Sequence, residues 1–346
     1  MKPEHILVIR LSAMGDVAMT VPVLQQLLQQ NPNTRLTVLT QPTFIPLFEP
    51  LERTDVFVVE TKGKHKGLKG LYQLSKELKQ HVPFDAIADL HNVLRSKVIR
   101  VLLKPRRKPV AVIDKGRRSK KMLTRKKNKQ VVPLKTSFQR YADVFKELGL
   151  SLSLNPSQPV FARQQLPPGV NFFSSAKKNV CIAPFAKHRE KVYPHDKMKL
   201  VIKQLSAQQD IRLFLLGGGI DEISILKQWE IEFPGVINLA GKFSFRDELA
   251  IIGHMDLMIS MDSANMHLAS LFGIPVISVW GATHPFTGFY AWAQPADNAV
   301  QIQLYCRPCS VFGNIPCYRG DHACMERLPP ALILEKLGLA PDPARL

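Results

Sequence analysis

Asp262 and Ser263 stand between a short apolar run and a helical pattern in the last third of the chain. The run 257–260 is typical of a buried parallel strand, and apolar residues recur at helical spacing over 266–272 before Gly273. A helix that begins at the carboxyl end of a strand offers unpaired N–H groups and a positive dipole to an anion. The segment therefore predicts either an anion site near 263–267 or a helix that the two side chains simply cap.

Asp16 is placed in the same way near the start of the chain. An apolar strand pattern over 5–11 is followed by a loop of small residues and then by a helical pattern over 17–30. Its carboxylate either caps that helix or acts as a general base at the strand edge. His91, Asn92 and Arg95 follow another strand pattern, 84–90, so we expect them at the same edge.

Lys191 belongs to a cationic loop that follows the strand pattern 179–184. Gly217 and Gly218 follow the strand pattern 211–216, where backbone can approach a ligand closely, but their spacing is not that of a dinucleotide fingerprint. Lys242 follows a short strand pattern at 236–239, and Thr283 follows 274–280. Because each position follows a strand, we expect all of them at one edge of a second parallel sheet.

The alternation of strand and helix patterns predicts an α/β fold with parallel, doubly wound sheets. A length of 346 residues indicates two domains, and the proline-rich stretch 149–169 is the natural connector between them. We therefore predict domains at 1–165 and 166–346. Between 104 and 129 lie thirteen basic residues and one acidic residue, which we interpret as a strand at 109–113 followed by a mobile basic loop.

The formal net charge of +19 favours a polyanionic partner: nucleic acid, an anionic membrane or a phosphorylated substrate. The basic run has no interleaved aromatic residues and no known nucleic-acid-binding motif accompanies it, which favours an anionic acceptor or membrane surface over specific nucleic acid. No apolar run is long enough to cross a bilayer. The N-terminus enters a strand without secretory-signal features, so we expect a cytoplasmic protein.

Four of the five cysteines lie close together near the C-terminus. Their spacing allows a zinc site, but the second half lacks the paired CxxC of a zinc ribbon. A packed thiol cluster without metal and a set of disulfides are the alternatives, and we predict the packed cluster. The residues are Cys306, Cys309, Cys317 and Cys324.

The chain resembles family 9 glycosyltransferases, the lipopolysaccharide heptosyltransferases, in a series of motifs that spans nearly its whole length in the family's order. The most specific of them is DSANMHLA at 262–269, which continues to GATHP at 281–285. The others are ILVIRLSAMGDV at 6–17, DLHNVLRS at 89–96, KVYP at 191–194 and NLAGK at 238–242.

The resemblance implies a GT-B fold, in which two Rossmann-like domains face a central cleft. Residues 1–165 would bind the acceptor and 166–346 the nucleotide-sugar donor, and the C-terminal helix could pack back on the N-terminal domain. The implied reaction is inverting, metal-independent transfer of a sugar, a heptose from ADP-heptose, onto a phosphorylated inner-core acceptor of the lipid A–Kdo type. No cofactor is implied, and the enzyme would work in the cytoplasm, peripheral to the anionic inner membrane.

By motif position, the resemblance makes Asp16 the general base and Lys191 the cation that stabilises the leaving diphosphate. The implied donor-binding residues are Asp262, Ser263, Ala264, Asn265, His267, Lys242, Gly217, Gly218 and Thr283. The acceptor-binding residues that it implies or that the basic run suggests are Ser12, Met14, Gly15, His91, Asn92, Arg95, Arg117, Arg118 and Lys120.

Two departures from the family pattern bear on the donor. Ala264-Asn265 stands where the family usually has Gly-Pro or a similar pair, and the stretch 286–292 is more aromatic than usual. Alanine tolerates a positive φ poorly, so this loop either differs from the family's or is simply right-handed helical. Two other functions stay open: another GT-B nucleotide-sugar enzyme such as an epimerase, and a non-catalytic basic protein that binds polyanions or membranes.

Overall fold

A computed structural model describes residues 2–103, 108–157 and 159–339. They form two compact units. One comprises the residues up to Gly116 together with Lys135–Val160, and the other comprises Arg117–Leu134 together with the residues from Phe161 onward. The units differ from the predicted division at 165 because the basic segment Arg117–Leu134 packs with the second unit.

The first unit is a five-stranded, fully parallel sheet in the order β3-β2-β1-β4-β5. Its strands are β1 (His5–Ile9), β2 (Arg35–Thr40), β3 (Thr54–Val58), β4 (Ala86–Asp89) and β5 (Val110–Val112). Its helices are α1 (Met14–Ala18), α2 (Val21–Gln30), α3 (Gly67–His81), α4 (Leu94–Leu103) and α6 (Ser137–Glu147), while α5 (Arg117–Thr124) belongs to the second unit.

One face of this sheet is covered by α3 and α4. Leu71, Leu74 and Leu78 recur at helical spacing on α3 and pack with Ile99 of α4 against side chains of β1. The register pairs Ile9 of β1 with both Leu39 and Asp89, so the strands end at one edge. The loops that carry Asp16 and His91 therefore begin at the same edge of the first sheet.

The helix predicted over 17–30 is wrong in its extent. It is two helices, and Asp16 lies in the first turn of α1, whose N-cap position is Ala13. The second helix begins just before Pro22, where the missing N–H and the fixed φ of proline fit a helix start. Asp16 therefore does not occupy the N-cap position.

The second unit is a six-stranded parallel sheet in the order β11-β10-β9-β6-β7-β8. Its strands are β6 (Lys178–Ala183), β7 (Ile211–Leu215), β8 (Ile237–Asn238), β9 (Leu257–Met261), β10 (Val276–Val279) and β11 (Ala299–Val300). Besides α5, its helices are α7 (His195–Ser206), α8 (Ile220–Glu232), α9 (Phe245–Ile252), α10 (Ala264–Leu271), α11 (Ala323–Glu326) and α12 (Ala331–Glu335).

The last helix, α12, packs within the second unit. Ile333 and Leu334 are fully buried in the same core as Val201 and Leu205 of α7. The core contacts described for this helix therefore lie in the second unit.

The basic run is more ordered than predicted. Residues 104–107 lie outside the described residues, and 110–112 form the expected strand. The predicted mobile loop contains α5, with Lys120 and Leu123 on its buried side. The described segments contain no helix long and apolar enough to cross a bilayer.

Candidate functional site

Asp16 lies against a buried arginine in the first unit. The Arg10 Nη2 and Asp16 Oδ2 atoms are 2.6 Å apart, and the Asp16 side chain keeps 31% of its exposure. Arg10 also donates from Nη1 to the Leu90 carbonyl at 2.7 Å and lies over the Tyr141 ring. One carboxylate oxygen is thus held in place while part of the group stays open to a reactant.

Arg10 is a residue that the sequence argument missed as part of the site. The available signal was an arginine inside an otherwise apolar strand pattern, since a buried cation requires a partner. The local pattern did not say which carboxylate that partner would be.

The loop after β4 is built on Asp89. Its Oδ1 accepts from the backbone N–H groups of His91 and Asn92, at 2.9 and 2.8 Å, and its Oδ2 lies 2.9 Å from Arg100 Nε. Asn92 has a φ of 44°, a left-handed conformation that asparagine adopts more readily than most residues, and its amide donates to the Ile113 carbonyl. The Asn92 amide nitrogen therefore holds β5 beside β4.

His91 is buried as a neutral ring. Its Nδ1 lies 3.4 Å from the backbone N–H of Leu11 as an acceptor, and burial, followed by the Arg10 cation, lowers the pKa of His91 to about 3. The ring therefore accepts a hydrogen bond from the start of the loop after β1 and does not carry a charge at neutral pH.

This burial predicts an acid-sensitive first unit. In the unfolded chain the ring has an ordinary pKa, so it takes up a proton below about pH 6.5, whereas the folded chain does so only near pH 3. The stability contributed by the neutral ring is present above pH 6.5 and is lost as the pH falls from there to about 3, by about 5 kcal/mol at most. His91→Asn keeps an acceptor near Nδ1 but does not titrate. Its Tm should vary less than the wild-type Tm over this window, and parallel Tm curves would contradict the prediction.

The other predicted acceptor residues fall into two groups. Ser12, Met14 and Gly15 are partly exposed at the carboxyl edge of the first sheet, and Arg95 is exposed on α4. Arg117 and Arg118 are exposed on α5, which belongs to the second unit. Lys120 is buried on that helix with its Nζ 3.9 Å from the centre of the Phe289 ring, so it is not the solvated surface cation that a basic run suggests.

The second unit brings Lys191, Asp262 and Thr283 together. Lys191 Nζ lies 2.9 Å from Asp262 Oδ2, and the Thr283 hydroxyl donates to the same oxygen at 2.7 Å. The Lys191 side chain is 15% exposed and that of Asp262 is 7% exposed. The three come from the loops after β6, β9 and β10, neighbouring strands in the sheet.

The start of α10 settles the capping question. Neither Asp262 nor Ser263 makes a side-chain cap bond, and the Ser263 hydroxyl instead pairs with Ser260. The simple capping interpretation is therefore wrong. Ala264 and Asn265 are the first two residues of the helix, so the right-handed alternative for this loop is correct. His267 is buried on the same helix.

The remaining predicted donor residues lie at the edge formed by β7 and β8. A Cβ on Gly217 would come 3.0 Å from Leu226 Cδ1, and the Gly218 N–H donates to Glu222 Oε2 at 2.8 Å. Lys242 is exposed and lies 3.2 Å from Glu230 Oε1. Gly217 is thus closely packed at the start of α8, whereas a Cβ on Gly218 would meet no atom within 4 Å.

Arg307 is a second residue that the sequence did not single out. It is 4% exposed and donates to the carbonyls of Trp280, Gly281 and Thr283, with Nε to Gly281 at 2.5 Å. The guanidinium thus fixes the backbone of the loop whose Thr283 hydroxyl holds Asp262. An arginine between two cysteines only weakly indicates a residue of the site, and the local sequence does not predict which carbonyl groups accept its hydrogen bonds.

Arg307→Lys should weaken this loop. One ammonium cannot reach the acceptors that the guanidinium fork serves, so we expect a loss of about 2 kcal/mol, or about 5 °C in Tm. Scanning calorimetry measures this effect. Arg319→Lys is the matched control, because the described partners of Arg319 are the exposed Asp321 and the face of the Tyr305 ring, neither of which belongs to this loop. Equal Tm values for the two variants would contradict the assignment.

The four clustered cysteines are free thiols that line one small cavity behind these loops. Glu190, adjacent to Lys191, also lines the cavity and lies 3.4 Å from His322. Burial raises the pKa of Cys324 to about 11, so that thiol is protonated at neutral pH. Among the described side chains, no group of three or more His, Cys, Asp or Glu is placed to hold a metal ion.

Comparison with known proteins identifies the family. The model of Glycosyltransferase family 9 (heptosyltransferase) matches residues 71–315. Lipopolysaccharide core heptosyltransferase OpsX of Haemophilus influenzae is 25% identical over 310 residues, 87% of this chain and 85% of that protein.

Solved structures share the fold. A family 9 glycosyl transferase from Veillonella parvula superposes with a TM-score of 0.75 at 16% identity, over 97% of this chain and 96% of that one. E. coli heptosyltransferase WaaC with ADP-2-deoxy-2-fluoro heptose gives a TM-score of 0.65 at 19% identity, over 89% and 97%. The predicted GT-B fold is thereby confirmed.

Proposed function

Since the chain belongs to glycosyltransferase family 9, the heptosyltransferases, and is a glycosyltransferase, we propose that it transfers a heptose from ADP-heptose to a lipopolysaccharide inner-core acceptor, with inversion and without a metal ion. The observation that carries the proposal is the Lys191–Asp262–Thr283 group beside the N-terminus of α10. A lysine and a helix N-terminus together offer a diphosphate what a metal ion offers elsewhere: positive charge and N–H donors. The WaaC complex with a fluorinated ADP-heptose supports the choice of donor.

The chemistry divides between the two units. In the first, Asp16 accepts the proton of the acceptor hydroxyl while Arg10 holds the other side of the carboxylate. The hydroxyl oxygen forms a bond to the anomeric carbon while the bond between that carbon and the diphosphate oxygen breaks. Because the hydroxyl attacks from the face opposite the leaving diphosphate, the configuration of the anomeric carbon is inverted. In the second, Lys191 and the first N–H groups of α10 stabilise the charge that develops on the departing ADP. Asp262, paired with Lys191 before the donor binds, contacts the heptose.

The charge of the chain supports the proposed acceptor. Arg95, Arg117 and Arg118 are exposed cations that suit a phosphorylated lipid A–Kdo-type molecule, and the net charge of +19 favours an anionic surface. OpsX, by its name, acts on the lipopolysaccharide core. We place the enzyme in the cytoplasm, peripheral to the inner membrane where such an acceptor is found.

A transfer assay with purified protein tests this function. With ADP-heptose and a Kdo–lipid A acceptor we expect release of ADP, a product heavier by one heptose, an inverted anomeric centre by NMR and the same rate in excess EDTA. Omitting the acceptor should stop sugar turnover. Formation of an isomerised sugar in the absence of acceptor would instead indicate an epimerase. A lower rate in EDTA would overturn the proposal that no metal ion is needed. If no ADP-sugar is turned over at all, the proposed function is overturned.

A further inference from the structure

The outer surface of α3 and α4 in the first unit carries apolar side chains in water. Leu68 is 73% exposed, Tyr72 53%, Leu94 79% and Val101 63%. They recur at helical spacing, Leu68 and Tyr72 four residues apart on α3, Leu94 and Val101 seven apart on α4. Of the large apolar side chains exposed on the described part of this unit, only Val110 lies outside these helices, on the adjoining strand β5. We call this surface the α3–α4 face.

The two helices present one continuous surface. Both pack on the same face of the sheet, because their buried residues share one core, and Lys79 Nζ of α3 donates to the Leu102 carbonyl of α4 at 2.9 Å. The exposed stripes of neighbouring helices on one side of a sheet point the same way, toward solvent. Their apolar residues therefore belong to one patch.

Cations surround these apolar side chains. The exposed charged residues of α3 and α4 are all basic, and Lys76 Nζ lies 4.8 Å from the centre of the Tyr72 ring. Glu77 is the one acidic residue within the two helices, and it is paired with Lys64 and His65. The exposed basic residues are Lys69, Lys76, Lys79, Arg95 and Lys97.

We propose that the α3–α4 face docks the enzyme on an anionic lipid bilayer. Aliphatic side chains that enter the interface, with lysines reaching up to the headgroups, are the arrangement by which amphipathic surfaces bind such membranes. A second copy of the chain is a poor partner for this face, because a two-fold interface would place the same cations of both copies against each other, where they repel. Nucleic acid is a poorer one, because three of the four exposed apolar side chains are aliphatic and give no stacking platform, and the single ring, that of Tyr72, already lies beside Lys76.

This inference rests on the proposed function and adds a geometry to it. Leu94 is adjacent to Arg95 and opens α4 at the carboxyl edge of β4, the edge that carries Asp16. A bilayer held by this face would present a lipid-linked acceptor at the edge of the sheet where the proposed base lies.

Vesicle sedimentation of the full chain tests the apolar part. Wild-type protein should bind vesicles of phosphatidylcholine with a quarter phosphatidylglycerol far more tightly than pure phosphatidylcholine, and less tightly as salt rises. Leu68→Gln with Leu94→Gln should lower the partition coefficient by about tenfold or more. The matched control is Ile220→Gln with Ile231→Gln on α8, where the side chains are 89% and 82% exposed. Equal losses in both variants, or none in the first, would overturn the proposal.

The contribution of the lysines is tested with a second double variant and its matched control. Lys69→Gln with Lys76→Gln should reduce binding to the anionic vesicles about tenfold. Lys203→Gln with Lys227→Gln removes two exposed cations from the second unit and should leave binding near the wild-type value. If the face variants change the oligomeric state in light scattering but not vesicle binding, the surface joins copies of the chain and the proposal fails.

Transfer assays separate this proposal from the function itself. Leu68→Gln with Leu94→Gln should transfer heptose normally to a delipidated, water-soluble acceptor but slowly to acceptor embedded in vesicles. Equal rates on embedded acceptor for this variant and wild type would overturn the docking surface. If wild type transfers to neither acceptor while the face still controls vesicle binding, the proposed function fails and the docking surface stands.

Discussion

Asp16→Asn is expected to lower kcat for heptosyl transfer by about 10³-fold, while ADP binding stays within twofold of wild type. Asparagine has nearly the same shape but cannot accept the proton of the acceptor hydroxyl. Steady-state ADP release measures kcat, and calorimetric titration measures ADP affinity. The separation arises because Asp16 lies in the first unit, whereas the proposed diphosphate site lies in the second.

Two controls sharpen this result. Asp55→Asn removes an exposed carboxylate of the same unit, one that pairs with Arg35 at 2.9 Å, and should leave kcat unchanged. Arg10→Lys keeps a cation beside Asp16 but loses the fork that also bonds the Leu90 carbonyl, so it should lower kcat less than Asp16→Asn. A kcat for Asp16→Asn within threefold of wild type would remove Asp16 as the base.

Lys191→Met should lower kcat by about 10²-fold and ADP affinity by about tenfold. The charge on the leaving diphosphate then loses a partly buried cation, and the helix N-terminus alone remains to stabilise it. Because that charge grows as the bond breaks, we expect the loss in rate to exceed the loss in affinity. The same two assays measure both.

The matched control is Lys187→Met, an exposed lysine four residues earlier in the same loop. Lys191→Met also leaves the Asp262 carboxylate buried with only the Thr283 hydroxyl as a described side-chain partner, so Tm should fall. Adding Asp262→Asn should restore Tm but not kcat. An unchanged rate and ADP affinity in Lys191→Met would exclude it from the site.

Much of the scaffold follows from local sequence patterns. Buried parallel strands are short apolar runs, and helices repeat their apolar side chains every three or four residues, so β1, β9 and α3 are visible in the chain itself. Parallel strands end at a common edge, which is why the positions of Asp16 and Asp262 at strand ends could be predicted without coordinates. The family motifs then supplied roles that no local pattern contains.

Local sequence patterns did not predict the partner of a polar side chain where two different partners were equally compatible with its position. Asp262 is an equally good cap or ion-pair partner, and only the fold brings Lys191, from the loop after β6, to 2.9 Å. The basic run around Lys120 predicts a solvated cation, yet its ammonium group lies over the ring of Phe289, a residue far away in the sequence. Contacts between distant segments depend on packing, which periodicity does not record.

The sequence by itself therefore determined the α/β class, the strand edges and the family. Only the tertiary structure decided that Arg10 holds Asp16, that Arg307 fixes the loop of Thr283 and that the segment from Arg117 to Leu134 joins the second unit. The reason is physical: a buried charge must find partners in three dimensions, and its choice is fixed by which loops the sheet order places side by side.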